Sequence, residues 1–244
     1  MQLIILAAGR GVRLGQEAGD RPKSLVSVGQ DEPYLGLQRR EFARFPFRKK
    51  ILVGGFAYEA LQAYLEKTNG SDYQLLFNEQ YLKGNLYSLL TAWPELDSES
   101  GFFIFNADHF YSRQTYRKIF QNQGPAITVF CDHDRLLAAD DMKVQSTQGR
   151  LLCMAKGLST FDCGYVGVTY VPPQRFQAYR QACTEAIKIW GESVNVEAVL
   201  NLLVERGELI DTGDISGSWW TEIDTPEDLK KARDVLHRHY TASH

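Results

Sequence analysis

The sequence predicts an α/β fold: a doubly wound, mainly parallel but mixed central sheet. Three observations carry this. Short unbroken apolar runs recur along the first half and alternate with stretches of helical spacing. The runs end in turns bearing glycine or an acid, as strands buried on both faces do. No linker, low-complexity run or internal repeat divides the 244 residues, so a single domain over 1–244 is expected.

The elements follow in order. Gln2 to Ala7 is an apolar run closed by a glycine-rich turn and reads as a buried strand. Residues 34–46 place Tyr34, Leu35, Leu37, Phe42 and Phe45 at helical spacing. Ile51 to Val53 reads as the second strand, ended by Gly54-Gly55, and a helix with Leu61, Tyr64 and Leu65 on one face comes next. Tyr73 to Phe77 is the third strand, Leu86 to Trp93 a short helix, and Phe102 to Phe105 the fourth strand, ended by Asn106-Ala107-Asp108. Tyr111 to Phe120 is helical and Ala126 to Phe130 is the fifth strand. Such alternation builds βαβ units, whose ligands bind beyond the carboxyl ends of the strands. The loops after Ala7, Phe77 and Phe105 are therefore expected to share one crevice.

After residue 140 the pattern shortens. Met142–Gln145, Arg150–Met154 and Tyr165–Val171 read as strands, followed by helices at 173–189 and 194–206. Leu209–Asp211 and Trp219–Ile223 are further strands. A last helix is marked by Thr225 as N-cap, Pro226 at N1 and Glu227 and Asp228 in its first turn.

Composition narrows the function. A net charge of −3 and a pI near 6.0 do not suggest general nucleic-acid binding. The basic cluster Arg39, Arg40, Arg44, Arg48, Lys49 and Lys50 reads as a solvated surface near a helix end. Cys131, Cys153, Cys163 and Cys183 form no CxxC pair and read as reduced thiols, in keeping with a cytoplasmic location. No signal peptide is evident, and no run approaches the roughly 20 apolar residues of a membrane span. Oligomeric state, a homodimer included, is left open.

The loop Leu6-Ala7-Ala8-Gly9-Arg10-Gly11-Val12-Arg13-Leu14-Gly15 follows the first strand. Gly9 and Gly11 remove bulk where backbone must turn and approach a ligand, and successive N–H groups there can form an anion nest. Arg13 and Lys23 supply cations for phosphate oxygens. A GxGxxG dinucleotide loop would need glycine at 14, where leucine stands, and an acid after the second strand, where Gly54-Gly55 stand. A P-loop would need Gly-Lys-Ser/Thr, but Gly15 precedes Gln16. Asp108 and Asp224 each end a strand; together they suit Mg²⁺, which takes hard carboxylate oxygens plus substrate phosphates. Taken singly, Asp108 also fits a turn and Asp224 a helix cap. Asp132-His133-Asp134 reads as a polar turn, and His237-Arg238-His239 as solvent-facing.

Leu6 to Leu14, followed by Pro22-Lys23-Ser24-Leu25, resembles the opening motif of the sugar-phosphate nucleotidyltransferase superfamily, LAAGxGxRL…PKxL. Trp220 to Leu229 is similar to its terminal W-x-D/E-I/V-D-T-P-E-D-L segment. The resemblance implies a Rossmann-like nucleotidyltransferase fold, with nucleotide bound by residues 1–135 and acceptor by 136–244. It implies that Leu6, Ala7, Ala8, Gly9, Arg10 and Gly11 cradle nucleotide and phosphates. Arg13 would contact the β- and γ-phosphates, Lys23 the α-phosphate, and Asp108 and Asp224 would hold Mg²⁺. An acceptor phosphate oxygen would attack the α-phosphorus of the NTP and release pyrophosphate.

Asn85 is placed as a helix cap or, through its amide, as a base-reading residue. Asn85-Leu86-Tyr87-Ser88-Leu89 resembles the N-x-x-S-L form of the phosphocholine and inositol-1-phosphate cytidylyltransferases, which implies CTP, with Asn85 and Ser88 near the base. Sugar-1-phosphate enzymes using GTP or UTP, and a non-catalytic nucleotide-binding module, are the alternatives. Asp141-Met142-Lys143-Val144, Ala155-Lys156-Gly157-Leu158 and Asp162-Cys163-Gly164 resemble the inositol-1-phosphate pattern x-T-K-V … G-K-x-L … D-x-G. Met142 and Ala155 depart from it. The match implies Lys156 for the acceptor phosphate and Asp162 for an acceptor hydroxyl. A choline-like acceptor would call for an aromatic cage, for which Trp190, Trp219, Trp220 and Tyr165 are the candidates.

Overall fold

The first strand is buried along its whole length, and its alternation explains why it is unbroken in apolarity. Leu3 and Ile5 enter the core on one side of the sheet, Ile4 and Leu6 the core on the other. The computed structural model describes residues 1–29 and 32–240, with backbone alone for Gly29 and for 237–240; the side chains of His237, Arg238 and His239 thus lie outside the described ones. The strands are β1 (Gln2–Leu6), β2 (Ser27–Gly29), β3 (Glu32–Pro33), β4 (Lys49–Gly54), β5 (Gln74–Phe77), β6 (Phe102–Asn106), β7 (His109–Tyr111), β8 (Ile127–Asp132), β9 (Lys143–Thr147), β10 (Arg150–Ala155), β11 (Cys163–Val171), β12 (Ile210–Asp214) and β13 (Trp220–Glu222). The helices are α1 (Tyr34–Phe42), α2 (Tyr58–Lys67), α3 (Leu86–Ala92), α4 (Arg113–Gln121), α5 (Phe176–Trp190), α6 (Val196–Glu205) and α7 (Pro226–Tyr240).

Among the described residues, nine strands form one sheet in the order β5-β4-β1-β6-β11-β8-β12-β10-β9. The β5-β4-β1-β6 part is parallel, and β11 enters antiparallel beside β6. β9 also pairs with β11, so the last five strands close into a ring. Helices cover both faces, as the α/β pattern predicts. Leu35 and Phe42 of α1, Leu61 and Leu65 of α2, and Tyr116, Ile119 and Phe120 of α4 pack on one face. Leu86 and Leu89 of α3, Tyr179 and Cys183 of α5, and Val199 and Leu203 of α6 pack on the other.

The element boundaries differ from the periodicity in two instructive places. The helix over 34–46 stops at Phe42, because Phe45 and Phe47 fold back onto Phe120 rather than continue the turn. The helix expected from Tyr111 begins at Arg113, where Ser112 Oγ accepts the Thr115 N–H at 3.2 Å. Residues 109–111 instead form a short strand with β13, outside the main sheet.

A third, smaller core ties the two ends of the chain together. Leu229, Ala232 and Leu236 of α7 and Ile223 pack on Leu14, Ala18, Val26 and Val28 from the loops after β1. Burying these side chains, each worth about 1–3 kcal/mol, holds the first glycine-rich loop against the last strand. The basic cluster is largely paired at the surface: Arg40 with Glu32, Arg44 with Glu41, Arg48 with Asp97, and Lys50 with Asp72.

Candidate active site

The glycine-rich loop turns at the carboxyl end of β1. Ala7 N–H donates to Val53 O at 2.8 Å and Phe56 N–H to Ala8 O at 3.1 Å, which knits this loop to the one after β4. A Cβ on Gly55 would stand 2.3 Å from Tyr81 Cβ and 2.9 Å from Ala8 Cβ, so the loop after β5 closes on the same spot. Leu6, Ala7 and Ala8 are buried, whereas Gly9 and Arg10 are exposed, with open space where a Gly9 Cβ would stand. The Arg10 guanidinium lies 5.1 Å over the Phe56 ring. Gly11 needs its glycine: its φ is +65° and a Cβ there would meet Lys23 Cβ at 3.0 Å. That close approach delivers Lys23 beneath the loop.

Lys23 is the centre of the constellation. Its Nζ donates to Asp108 Oδ2 at 3.0 Å and also to Asp224 Oδ1. Arg13 pairs with Asp224 Oδ2 and, at 3.4 Å, with Asp140. Both carboxylates and both cations singled out in the sequence thus meet at one rim of the sheet. The β7–β13 ladder makes this possible. Its register sets His109 opposite Glu222, and Ile223 N–H donates to Asp108 O at 2.8 Å. Helix capping does not occupy Asp224. Thr225 Oγ1 accepts the Asp228 N–H at 3.2 Å, and Asp228 accepts the Thr225 N–H at 3.0 Å, a reciprocal cap that leaves the Asp224 carboxylate to the cations.

Two further groups join it. His109 Nδ1 lies 2.7 Å from Asp108 Oδ1. Asp108, His109 and Glu222 present ligand atoms within 4.8 Å of one another. Glu222 is the last residue of β13 and Asp224 lies beyond it, so no strand alternation in the sequence links the two. His109 carried no such signal either, because three-residue strands leave no readable period. Its ring stacks on Trp220 with 5.6 Å between centroids, and Trp220 Nε1 donates to Asp132 Oδ2 at 2.7 Å. Asp132, expected in a simple turn, thus anchors the wall of the site. Asp108, His109 and Glu222 are the group among the described residues that could hold a divalent metal ion, with Asp224 tied to Asp108 through the Lys23 ammonium.

The charges shift one another. Burial alone would raise the carboxyl of Asp108, but Lys23 and His109 outweigh it and hold it well below its usual range. Asp224 moves down too: burial opposes, while the Glu222 hydrogen bond and Lys23 prevail. Burial lowers Lys23 and His109, yet their carboxylate neighbours leave both raised. Burial pushes Glu222 from its ordinary 4.5 up to about 7. Folded-state protons are therefore held by Glu222 and His109 where the unfolded chain would release them. Stability of the metal-free protein is expected to fall as pH rises from about 5 to 8. Glu222→Gln should flatten the lower part of that decline, measured as urea midpoints against pH. A midpoint that rises over this range in the wild type would contradict these assignments.

The remaining sequence-predicted residues take other positions. Asn85 precedes α3 without a side-chain capping bond there; its Oδ1 instead accepts the Val196 N–H at 2.9 Å and so caps the start of α6, 111 positions away. Ser88 is buried, and its Oγ accepts from Asn78 Nδ2 at 3.0 Å. Lys156 is exposed in the turn after β10. Asp162, also exposed, accepts the Ser146 N–H at 2.7 Å through Oδ2. These two residues border the β9–β10–β11 junction. Three of the four aromatic candidates have other partners, and the fourth, Trp190, is exposed. Trp190 ends α5, Trp219 packs on Phe110, and the Tyr165 hydroxyl bonds Thr169 at 2.8 Å. Trp220 lies against His109 and carries the Arg135 guanidinium 4.4 Å from its ring.

The chain is similar to several known proteins. The chain is 29% identical over 238 residues to a bifunctional IPC transferase and DIPP synthase of Archaeoglobus fulgidus, covering 97% of this chain but 44% of that protein. It spans about half the length of the bifunctional relatives it matches. It is 28% identical over 251 residues to the choline-phosphate cytidylyltransferase of Streptococcus pneumoniae, covering 97% of this chain and 98% of that one. The inositol-1-phosphate CTP transferase of T. maritima superposes with a TM-score of 0.81 at 20% identity, over 98% of this chain and 96% of that one. That likeness bears out the α/β fold with its mixed sheet. Residues 3–206 match the MobA-like NTP transferase domain, and the chain belongs to that family.

Proposed function

We propose that the chain is a CTP-dependent nucleotidyltransferase that moves CMP onto a phosphorylated small acceptor, inositol-1-phosphate- or phosphocholine-like, and releases pyrophosphate. One observation carries the reading: Lys23 bonds Asp108 and Asp224 together, directly under the Gly9–Gly11 turn. Printed names among the relatives, a choline-phosphate cytidylyltransferase and an inositol-1-phosphate CTP transferase, support the nucleotide and the acceptor class.

In this reading the first half, residues 1–135, binds nucleotide. The Ala8–Gly11 backbone cradles the phosphates, Arg13 pairs the β- and γ-phosphates, and Asn85 meets the base while Ser88 holds Asn78 in place. Asp108 and Asp224 hold Mg²⁺, which when bound neutralises phosphate charge and polarises a phosphoryl oxygen. Lys23 donates to the α-phosphate oxygen on which charge builds during attack. The acceptor phosphate is already anionic near neutral pH, so no side chain need remove a proton from it. The chain's task is to align the two phosphates and exclude water from between them. Residues 136–244 bind the acceptor, with Lys156 on its phosphate and Asp162 on a hydroxyl. The cytoplasm, where CTP is abundant and thiols stay reduced, suits the four free cysteines.

Pyrophosphate release, followed with CTP, GTP, UTP and ATP against one acceptor at a time, tests the proposal. CTP-selective release with inositol-1-phosphate or phosphocholine is expected; turnover with GTP or UTP alone would replace cytidylyl transfer by sugar-1-phosphate chemistry. Lys156→Ala should raise the acceptor KM by about tenfold or more and leave the KM for CTP unchanged. A defect confined to CTP binding would place Lys156 on the wrong substrate.

A further inference from the structure

Lys143 opens β9 and is only 7% exposed, yet it forms no salt bridge among the described residues. A buried ammonium needs partners for its charge and for its three N–H donors. Backbone carbonyls supply them. Its Nζ donates to Ala138 O at 3.0 Å, to Ala139 O at 3.3 Å and to Lys156 O at 2.7 Å. The Phe161 ring lies 5.7 Å from it.

These carbonyls belong to two separate segments. Ala138 and Ala139 lie in the irregular strap 133–142 that joins β8 to β9, and Lys156 lies in the turn after β10. All three residues are exposed, whereas the ammonium that gathers them is buried. Strand pairing puts it there. Lys143 stands opposite Ala155 of β10 and Gly164 of β11. The strap's Leu137 packs on Gly164, where a Cβ would stand 2.5 Å from Leu137 Cδ2.

The strap also reaches the reacting rim. Asp140 pairs with Arg13 at 3.4 Å, and the Arg135 guanidinium lies 4.4 Å from the Trp220 ring that stacks on His109. Asp141 holds the strap's shape: its Oδ2 accepts the Ala138 N–H at 2.6 Å, and its Oδ1 pairs with Arg135 at 3.7 Å. The Lys143 ammonium therefore joins a segment that touches the rim to the turn that carries Lys156.

We propose that Lys143 is a positioning residue for acceptor binding: its ammonium locks the strap and the Lys156 turn into one unit, which presents Lys156 to the acceptor phosphate beside the rim. This deepens the proposed function and rests on it for the role of Lys156. All three N–H donors are spent on carbonyls, so Lys143 acts through the segments it joins and not on a substrate.

The test is a double-substitution cycle on the full chain. Acceptor affinity is read by titration calorimetry and as KM, with phosphocholine and with inositol-1-phosphate, for the wild type, Lys143→Met, Lys156→Ala and the double variant. Methionine keeps the length of the side chain and removes its donors. Lys143→Met should weaken acceptor binding by about tenfold and leave the KM for CTP unchanged. In the Lys156→Ala background the same change should cost less than about twofold, because the group that Lys143 presents is gone. Lys143→Arg keeps the charge, but its planar fork cannot converge on three carbonyls, so it should show the same pattern in smaller measure. If Lys143→Met does not fold, the cycle is run with Lys143→Arg. A merely structural role would lower Tm, disturb both KM values alike and multiply with the Lys156→Ala loss. Such multiplication, or unchanged acceptor affinity in a folded Lys143 variant, overturns the proposal. If acceptor binding follows the expected cycle but CTP gives no pyrophosphate, this inference stands and the cytidylyltransferase reading falls; if CTP turns over yet acceptor binding ignores Lys143, the reverse holds.

Discussion

Lys23→Ala is expected to lower turnover by about a hundred- to a thousandfold with the KM values for both substrates less affected, because its charge acts most strongly on the attacked phosphate. Its second effect is structural. The side chain is 11% exposed and its single ammonium bonds both acids. Without the ammonium, Asp108 and Asp224 confront each other in a partly buried site, and the metal-free protein should lose about 3 kcal/mol of stability. A divalent ion competes with Lys23 for these same oxygens. Magnesium should therefore stabilise Lys23→Ala more than the wild type, seen as a larger rise in Tm on adding the ion. Equal shifts would mean that Lys23 and the ion do not share ligands. Wild-type turnover in the variant would remove Lys23 from the chemistry.

Asp108→Asn is expected to cost about a hundredfold or more in kcat and to raise the magnesium concentration needed for half-maximal rate. The amide keeps the size of the carboxylate but removes its charge. It also turns one of its atoms into a donor facing either Lys23 or His109, which already donate to Asp108. Both the ion and the two cations lose a partner at once. The measurement is initial rate against magnesium at saturating CTP and acceptor. An unchanged magnesium requirement would move the metal away from Asp108 and with it the reading of the whole rim.

Much of this site can be read along the chain, and the unread part has a common physical cause. The apolar run of β1, the glycines after it and the Thr225-Pro226 helix start are local signals, and each lies where its chemistry places it. Lys23 and Arg13 stood out because a plain turn has no use for them. The hidden parts are contacts between distant segments. The pairing of β7 with β13 joins residues 109–111 to 220–222, and strands of three residues are too short to show a period. His109 and Glu222 were missed for that reason. The ring closed by β9 on β11 is likewise non-local, and so is the reach of Asn85 to the start of α6. Of the aromatic residues suited to a cation by type, Trp220 and Tyr165 are buried and Trp219 is half-buried against Phe110.

A crystal grown with manganese and a non-reacting CTP analogue tests the shared rim most directly, since the anomalous signal locates the ion. The expected result is one ion touching carboxylate oxygens of both Asp108 and Asp224, with the Lys23 ammonium on the α-phosphate beneath Gly9. An ion bound away from either aspartate, or a triphosphate lying where neither Lys23 nor Arg13 reaches it, would contradict the account.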